Sequence, residues 1–343
     1  MNYAEVPVAV SRHGLTVPRL GFGTARIPAD QAEHAVRLAI DAGYRLLDTA
    51  TAYGTEAGIG RAIRKSRVAR DQLVVTTKLH RADQGFTPAL KAFDRSRRRL
   101  GLDAIDLYLI HWPLPMRDLY VETWRALEII RGRGLAREIG VSNFTDAQLA
   151  RLIAETGIVP AVNQVELHPG FTQAELRRYH DAHAILTQAW SPLGAGRGLP
   201  GTEVVARVAE RCRRSPAQVV LRWHLQLGII AIPKSVNPDH IRQNIDIFGF
   251  ALSAADMDEL TGIGSGTRLG PDPDSFDPPW ESETRRPPGA AARLVGEGLW
   301  RSPKRSWKTC AGNTGHPAST AASSWERGWP PRSGVMRPIR SRS

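Results

Sequence analysis

Residues 73–112, LVVTTKLHRADQGFTPALKAFDRSRRRLGLDAIDLYLIHW, decide the fold class of this chain. The segment begins with the apolar run LVVTTKL and ends with the apolar run IDLYLIHW, each of a length typical of strands. Between them, TPALKAFDRSRRRLG repeats apolar residues at helical spacing, opens on a threonine and closes on a glycine, as capped helices do. The segment therefore predicts a strand, a helix and a second strand.

The same alternation extends in both directions, over about residues 20–236. The predicted strands are RLGFG, YRLLDTA, LVVTTKL, IDLYLIHW, AREIGVSN, AVNQVEL, AILTQAW and GIIAIPKS. The predicted helices are DQAEHAVRLAIDAG, TEAGIGRAIRK, TPALKAFDRSRRRLG, VETWRALEIIRG, TDAQLARLIAETG, TQAELRRYHDA and PAQVVLRWHLQLG. Eight strands that alternate with helices predict an α/β fold, a (β/α)8 TIM barrel. A doubly wound sheet fits less well, because no GxGxxG sequence opens the first strand–helix unit.

Two further segments flank the predicted barrel. Upstream, VAVSRHGLTVP alternates and turns at His13-Gly14, which predicts a β-hairpin that closes the barrel floor. Downstream, GSGTRLGPDPDSFDPPW, residues 264–280, is an arm rich in Gly, Pro and Asp. We therefore assign residues 1–280 to the barrel and residues 281–343 to a basic, disordered C-terminal extension.

The net charge of +12 is concentrated in that extension. Residues 1–280 hold 34 Lys and Arg against 30 Asp and Glu, whereas residues 281–343 hold 12 against 4. The extension also holds four of the nine tryptophans, and a basic segment with tryptophans can bind nucleic acid or an acidic surface. Because the barrel itself is nearly balanced in charge, we expect no nucleic-acid partner.

Cysteine content and apolar patterning bear on the compartment. The chain has two cysteines, Cys212 and Cys310, which are too few for a disulfide framework. The N-terminal MNYAEVPVAV lacks the basic and apolar regions of a signal peptide. No apolar run approaches the roughly 20 residues that cross a bilayer. We expect a cytoplasmic protein without membrane association.

Four ionisable residues lie where predicted strands end. Asp48 and Tyr53 follow one strand, and Lys78 and His111 close the next two. Because the reactive face of a (β/α)8 barrel is where its strands end, these side chains are expected to meet. Taken singly, each has an ordinary explanation as a helix cap, a surface charge or a buried core group. Together, at matching ends of consecutive strands, they predict a proton-donating site.

The residue types suit protonation of a developing alkoxide. A phenol with a pKa of about 10 is a weak acid at neutral pH unless its anion is stabilised. An adjacent Lys78 ammonium would lower the pKa of Tyr53, and Asp48 would keep Lys78 charged. His111 can donate a hydrogen bond to a carbonyl oxygen and stabilise negative charge there.

Five segments resemble the aldo-keto reductase family. They are DTATAYGTEAGIG, LVVTTKLH, IDLYLIHWP, REIGVSNF and IPKSVNPDHIRQN, in the family's order and spacing. Among the members, the chain is similar to bacterial 2,5-diketo-D-gluconate reductases. The resemblance implies a barrel enzyme, usually monomeric, that reduces aldehydes and ketones to alcohols with NAD(P)H. It also implies that Tyr53 is the general acid, that Lys78 and Asp48 tune it, and that His111 orients the substrate carbonyl.

The resemblance further implies a set of cofactor contacts. The nicotinamide would be held by Asp48, Ser142, Asn143 and Gln164, with Trp190 stacked under the ring where many members have Tyr. Ribose and diphosphate would lie along Thr24, Ser191, Pro192 and Leu193. The adenosine and its 2′-phosphate would lie among Lys234, Ser235, Val236, Asn237, His240, Gln243 and Asn244. For Trp190, ordinary barrel packing is the alternative.

Two departures from the family pattern bear on specificity. Where many members have an arginine that pairs with the 2′-phosphate, this chain has His240, which supplies little charge at neutral pH and lacks the fork of Arg. We expect NADPH as the cofactor with weakened selectivity, so that NADH can also serve. Arg242 is expected to be a solvated residue of a surface helix.

The predicted substrate mouth is wide and polar, because Ala25 and His80 occupy positions that often hold Trp in the family. The other residues assigned to it are Phe22, Tyr53, His111 and Trp112. Phe22 has packing within the first strand as an equal alternative.

Two other functions are alternatives to carbonyl reduction. A cofactor-binding regulatory subunit without significant turnover is the alternative within the family. A metal-dependent barrel is the other, but no HxH or HExxH is present. His180 and His183 share a helix face without accompanying carboxylate ligands. We therefore expect no metal.

Overall fold

The computed structural model describes residues 6–277. Its strands are β1 (Val8–Val10), β2 (Thr16–Pro18), β3 (Gly21–Gly23), β4 (Leu46–Asp48), β5 (Val74–Leu79), β6 (Ile105–Ile110), β7 (Ala136–Ser142), β8 (Val162–Glu166), β9 (Leu186–Trp190) and β10 (Ile230–Ile232). β3 to β10 form one parallel sheet in chain order, and β1 pairs with β2 antiparallel. All eight predicted barrel strands are confirmed. The predicted extension, 281–343, and residues 1–5 and 278–280 of the predicted barrel lie outside the described residues.

The sheet closes where β10 meets the segment around β3. Leu20 and Ala231 form a parallel bridge, the Ala231 amide donates to the Arg19 carbonyl at 3.0 Å, and the Gly23 amide donates to the Pro233 carbonyl at 2.9 Å. The approach is close, because a Cβ on Gly21 would lie 2.7 Å from the Ile232 side chain. Glycine at this position therefore lets the (β/α)8 barrel close.

Ten helices surround the barrel in the described part of the chain. They are α1 (Ala32–Ala42), α2 (Glu56–Lys65), α3 (Phe86–Leu100), α4 (Tyr120–Gly132), α5 (Asp146–Thr156), α6 (Ala174–Ala182), α7 (Glu203–Cys212), α8 (Pro216–Gln226), α9 (Pro238–Ile245) and α10 (Ala254–Thr261). Capping boxes begin α5, α8 and α10, so local sequence fixes where the preceding loops end. β9 is followed by both α7 and α8, and α10 packs against these two helices. One of α7 and α8, together with α10, is thus additional to the regular eightfold repeat.

The hairpin of β1 and β2 closes the barrel floor, as predicted. Leu15 and Val17 are buried in a cluster with interior strand residues such as Leu46 and Leu107. The Ser11 hydroxyl donates to the buried carboxylate of Glu138 on β7 at 2.6 Å. The floor is therefore sealed by apolar packing and a buried hydrogen bond, and the opposite end of the barrel is left for chemistry.

Candidate active site

The four ionisable residues predicted from strand ends, Asp48, Tyr53, Lys78 and His111, meet as a tetrad at the carboxyl end of the barrel. Asp48 is the last residue of β4, Lys78 lies near the end of β5, and His111 follows β6 directly. Tyr53 ends a single 3-10 turn, Thr51–Tyr53, just beyond β4. Asp48 and Lys78 are buried, whereas Tyr53 and His111 are half-buried. The charged pair thus lies beneath two groups that reach the barrel mouth.

Asp48 and Lys78 form a buried ion pair. The Lys78 Nζ lies 2.6 Å from Asp48 Oδ1 and also donates to the Thr49 carbonyl at 3.1 Å. Burial disfavours the ammonium, but attraction to Asp48 and then to Tyr53 outweighs it, so the pKa of Lys78 is raised above its ordinary 10.5. Lys78 therefore keeps its charge at neutral pH.

Tyr53 is protonated at neutral pH and lies close to that charge. The Lys78 Nζ lies 5.2 Å from the centroid of the Tyr53 ring. Burial raises the pKa of Tyr53 above its ordinary 10.0, although Lys78 acts in the opposite direction. The expected lowering by Lys78 is thus present but outweighed by burial. Tyr53 therefore carries a proton that it can donate, and the Lys78 ammonium is close enough to stabilise the phenolate that remains.

His111 is neutral and adjoins the Tyr53 hydroxyl. Its Nε2 lies 3.5 Å from that oxygen, at the long end of hydrogen-bond range, and the two rings meet edge to face. Burial, followed by the charge of Lys78, lowers the pKa of His111 well below 6.5. A neutral imidazole carries one N–H, so His111 can donate one hydrogen bond at the mouth.

Gln164 joins this group to the next two strands. Its Nε2 donates to Asp48 Oδ2 at 2.8 Å and to Gln188 Oε1 at 2.9 Å, and its backbone carbonyl accepts from the Ser142 hydroxyl at 2.7 Å. The two acceptors fix the orientation of the Gln164 amide. Gln188 was missed by the sequence reasoning, although its position two residues before Trp190 on the same strand marks it as sharing that residue's face.

Asn143 and Trp190 hold each other at the same edge. The Trp190 Nε1 donates to Asn143 Oδ1 at 2.7 Å, and Asn143 Nδ2 donates to the His111 carbonyl at 2.9 Å. Asn143 adopts a left-handed backbone with φ of 65°, a conformation that Asn tolerates better than most residues. Trp190 is half-buried, so its indole is fixed at the nitrogen while part of its surface stays accessible.

Thr24 supports Asp48 from within the barrel wall. It is fully buried, and its hydroxyl donates to the Asp48 carbonyl at 2.9 Å and lies 3.0 Å from the Thr55 hydroxyl. Its side chain is therefore used within the protein. A contact between Thr24 and a ribose stays a prediction.

The residues predicted to surround an adenosine phosphate follow β10 and begin α9. Lys234, Val236, Asn237, His240 and Gln243 are exposed, Ser235 is half-buried, and Asn244 is buried. Asn237 Oδ1 accepts from the Asp239 amide at 2.8 Å and thereby caps the helix. Arg242 donates to the Asp239 carboxylate at 2.6 Å within the same helix. Ser191, Pro192 and Leu193 directly follow β9, and Ser191 has a left-handed φ of 49°.

The residues assigned to the substrate mouth divide into two groups. Ala25, His80 and Trp112 are half-buried on loops beyond the strands, and His80 and Trp112 are close in sequence to Lys78 and His111. Phe22 is 1% exposed and packs edge to face on Tyr44, with ring centroids 5.6 Å apart. Its neighbours Gly21 and Gly23 face the barrel interior, so strand alternation turns Phe22 outward toward α1. This geometry favours the packing alternative for Phe22, and a contact between Phe22 and a substrate stays a prediction.

Comparison with known proteins places the chain among its relatives. The model of the Aldo/keto reductase family matches residues 19–265. This chain belongs to the aldo-keto reductase family. It is therefore an oxidoreductase.

Similar proteins include bacterial aldo-keto reductases over nearly their whole length. One from Mycolicibacterium smegmatis is 50% identical over 263 residues, covering 77% of this chain and 95% of the relative. The 2,5-diketo-D-gluconic acid reductase B of a Corynebacterium species is 46% identical over 273 residues, covering 80% and 99%. The crystal structure of a Gox0644 mutant in complex with NADPH is similar with a TM-score of 0.76, 43% identity, and coverage of 79% and 98%.

Membrane-spanning helices and metal sites are both absent from the described part of the chain. Within residues 6–277, no helix has the length and apolar content needed to cross a membrane. In the same part of the chain, no group of three or more His, Cys, Asp or Glu side chains could hold a metal ion.

Proposed function

We propose that this protein reduces aldehydes or ketones to alcohols with NADPH, and that Tyr53 supplies the proton. One observation carries the proposal. A protonated Tyr53 and a neutral His111 lie 3.5 Å apart at the barrel mouth, above a buried ion pair of Lys78 and Asp48. A donor with a stabilising cation, beside a second donor, suits the protonation of a carbonyl oxygen.

The strand ends beside the tetrad fit a nicotinamide. The Gln164 amide is held by its nitrogen, and its Oε1 makes no hydrogen bond within residues 6–277, so it can accept from a carboxamide. The Gln188 Nε2 is buried without a partner in that part of the chain. Trp190 offers an aromatic surface, and its indole nitrogen donates a hydrogen bond to Asn143. The NADPH complex of a relative supports this choice of cofactor.

The proposed cofactor site extends from the tetrad to α9. The nicotinamide would contact Asp48, Ser142, Asn143, Gln164 and Trp190; the ribose and diphosphate Thr24, Ser191, Pro192 and Leu193; and the adenosine phosphate Lys234, Ser235, Val236, Asn237, His240, Gln243 and Asn244. When bound there, NADPH supplies a hydride to the carbonyl carbon. His240 supplies less charge than the arginine common in the family, so we expect NADH to serve as a weaker substitute.

The proton comes from the Tyr53 hydroxyl. His111 donates its one N–H to the carbonyl oxygen, holds that oxygen near Tyr53, and stabilises the charge that develops on it. Tyr53 then transfers its proton, and the phenolate that remains is stabilised by the Lys78 ammonium. Asp48 keeps Lys78 charged and, through its second oxygen, orients Gln164. Ala25, His80 and Trp112 would line the mouth around the carbonyl substrate.

The proposal is tested by oxidation of NADPH and NADH by the purified protein against aldehydes, ketones and diketones. Diketones are included because one relative is named as a diketo-acid reductase. Tyr53→Phe should fold and bind NADPH as the wild type does but lose about 100-fold or more in turnover, the usual contribution of a general acid. Tyr179→Phe, on α6 away from the site, is the matched control and should be fully active.

Two results would count against the proposal. If Tyr53→Phe reduced a reactive aldehyde as fast as the wild type, Tyr53 would not be the acid. If the wild type bound NADPH but turned over no carbonyl in the panel, the regulatory alternative would be favoured.

A further inference from the structure

The described part of the C-terminal arm, residues 264–277, lies across the carboxyl ends of several barrel strands. The Gln148 amide donates to Asp274 Oδ1 at 2.7 Å, and Arg117 donates to Asp277 Oδ1 at 2.7 Å. The Phe276 ring packs on Trp112, with centroids 4.3 Å apart. Because Trp112 directly follows His111, the far end of the arm covers one side of the proposed substrate mouth.

The near end of the arm is held by a buried carboxylate, Glu166, at the end of β8. Glu166 Oε1 accepts from the Leu269 amide at 2.6 Å, and Oε2 accepts from the Gly270 amide at 2.9 Å. His168 Nε2 lies 3.2 Å from Oε1. Burial favours the neutral acid, but His168 and the two amides outweigh it, so the pKa of Glu166 is lowered and the group is ionised. A carboxylate that binds two consecutive amides with separate oxygens fixes both residues of the arm.

One of these two arm residues, Gly270, lies against Trp190, the residue proposed to stack under the nicotinamide. Glu166 and Trp190 are register partners on β8 and β9. A Cβ on Gly270 would lie 2.5 Å from Cη2 of the Trp190 indole, so only glycine allows the arm to approach this closely. The other edge of that indole is bonded to Asn143. Glu166 therefore holds the arm against the side chain that is proposed to stack under the nicotinamide.

We propose that Glu166 is a positioning residue that clasps the arm at Leu269 and Gly270 and thereby sets how closely Phe276 covers Trp112. This inference rests on the proposed function, because it treats Trp190 as part of the cofactor site and Trp112 as part of the substrate mouth. The clasp acts on substrates large enough to touch Trp112 or Phe276. A small aldehyde that reaches only Tyr53 and His111 is insensitive to it.

Glu166→Gln tests the clasp, because glutamine has the same size but presents an NH2 group toward one of the two amides. An amide N–H left without an acceptor should loosen the arm. We expect KM for a bulky aromatic ketone to change about tenfold, with kcat and KM for a three-carbon aldehyde within about twofold of wild type. Trypsin cleavage after Arg268, which lies in the arm, should also become faster.

Gly270→Ala is a second variant that leaves Glu166 intact. Its methyl group would displace the arm from the Trp190 side, so it should reproduce both the KM change for the bulky ketone and the faster cleavage after Arg268. Glu175→Gln is the matched control, since that carboxylate is 91% exposed on α6 and should behave as wild type in both assays.

The outcomes separate the clasp from the proposed function. If the rate of trypsin cleavage after Arg268 were unchanged in both Glu166→Gln and Gly270→Ala, the proposed clasp would be wrong, even if the wild type is an active reductase. Equal losses for the large and small substrates would also overturn it, because they would indicate general destabilisation. A wild type without turnover would refute the proposed function, and the trypsin assay would still decide whether Glu166 holds the arm.

Discussion

Asp48 connects the two halves of the proposed active site. One carboxylate oxygen pairs with Lys78 at 2.6 Å, and the other accepts from the Gln164 amide at 2.8 Å. The pairing with Lys78 was predicted from strand ends, since both residues close adjacent parallel strands. The bond to Gln164 could not be predicted in this way, because it crosses the barrel between residues 116 positions apart. A single residue therefore couples the charge beneath the acid to the amide proposed to orient the cofactor.

The protonation states at the mouth predict a flat pH profile. The pKa of His111 lies well below the ordinary 6.5, so its ring is already neutral at pH 6.5. The pKa of Tyr53 lies above 10.0, so neither group titrates between pH 6.5 and 10.0. With saturating NADPH, we expect kcat for carbonyl reduction to be constant from pH 6.5 to 10.0 and to fall above that range as Tyr53 loses its proton. Lys78→Met should lower kcat by about 100-fold or more, because the phenolate loses its cation.

The control for that experiment is Lys91→Met, an exposed lysine of α3, which should keep the wild-type profile. An inflection near pH 6.5 in the wild type would contradict a neutral His111.

Cofactor selectivity is predicted to depend on Lys234. Its exposed ammonium follows β10 at the start of the segment that resembles the family's phosphate site. Lys234→Met should raise Kd for NADPH by about tenfold or more and leave Kd for NADH nearly unchanged, because only NADPH has the 2′-phosphate. His240→Arg should strengthen NADPH binding by restoring a charged fork.

Arg242→Met is the matched control, because its guanidinium already pairs with Asp239 within the helix. Fluorescence titration of both cofactors measures all three variants. If Lys234→Met weakened the binding of NADPH and NADH equally, the proposal that Lys234 binds the 2′-phosphate would be wrong.

At the scale of the element, the strands were predictable and their cross-connections were not. Each barrel strand is a short apolar run, so local sequence is sufficient to locate it. The orientation of Phe22 depends on Gly21 and Gly23, which face the interior, and the apolar pattern alone does not establish it. The contact of Glu166 with Leu269 and Gly270 joins residues more than 100 positions apart, and one-dimensional periodicity carries no information about such pairs.

The floor hairpin should stabilise the barrel without acting on its chemistry. Leu15 is 4% exposed and packs with interior residues of the strands at the end opposite the tetrad. Leu15→Ala should lower the free energy of unfolding by about 2–5 kcal/mol, the range for truncating a buried leucine. kcat at a temperature where the variant is folded should match wild type.

Val10→Ala is the control in the same hairpin. Because Val10 is 61% exposed, this substitution should change the free energy of unfolding little. Urea unfolding measures both changes. A loss of kcat in folded Leu15→Ala would mean that the floor is coupled to the site.

At the scale of the whole molecule, buried histidines should make the barrel sensitive to mild acid. His180 on α6 is fully buried; its Nε2 lies 3.0 Å from the Asn163 amide nitrogen and its Nδ1 lies 2.8 Å from the Thr187 hydroxyl. Accepting the amide proton at Nε2 requires a neutral ring. Burial, followed by repulsion from His183, lowers the pKa of His180 from 6.5 to about 3.

The sign of the effect follows from proton uptake. Above pH 6.5 His180 is neutral in both states, and its contribution to stability is fully present. Below pH 6.5 His180 takes up a proton in the unfolded chain but not in the native state. The free energy of unfolding therefore falls until the pH reaches the native pKa of about 3. The slope is about 1.4 kcal/mol per pH unit for each such histidine, and His111, whose pKa is also lowered, adds to it in the same direction.

Urea unfolding of wild type and His180→Gln between pH 6.5 and about 5, above the range in which carboxyl groups titrate, measures this slope. Glutamine can accept from Asn163 but cannot titrate, so His180→Gln should lose about 1.4 kcal/mol per pH unit of the wild-type dependence. His34→Gln, exposed on α1, should retain the wild-type slope. Identical slopes in all three proteins would mean that His180 accepts its proton in the native barrel, and that the amide of Asn163 turns away from it.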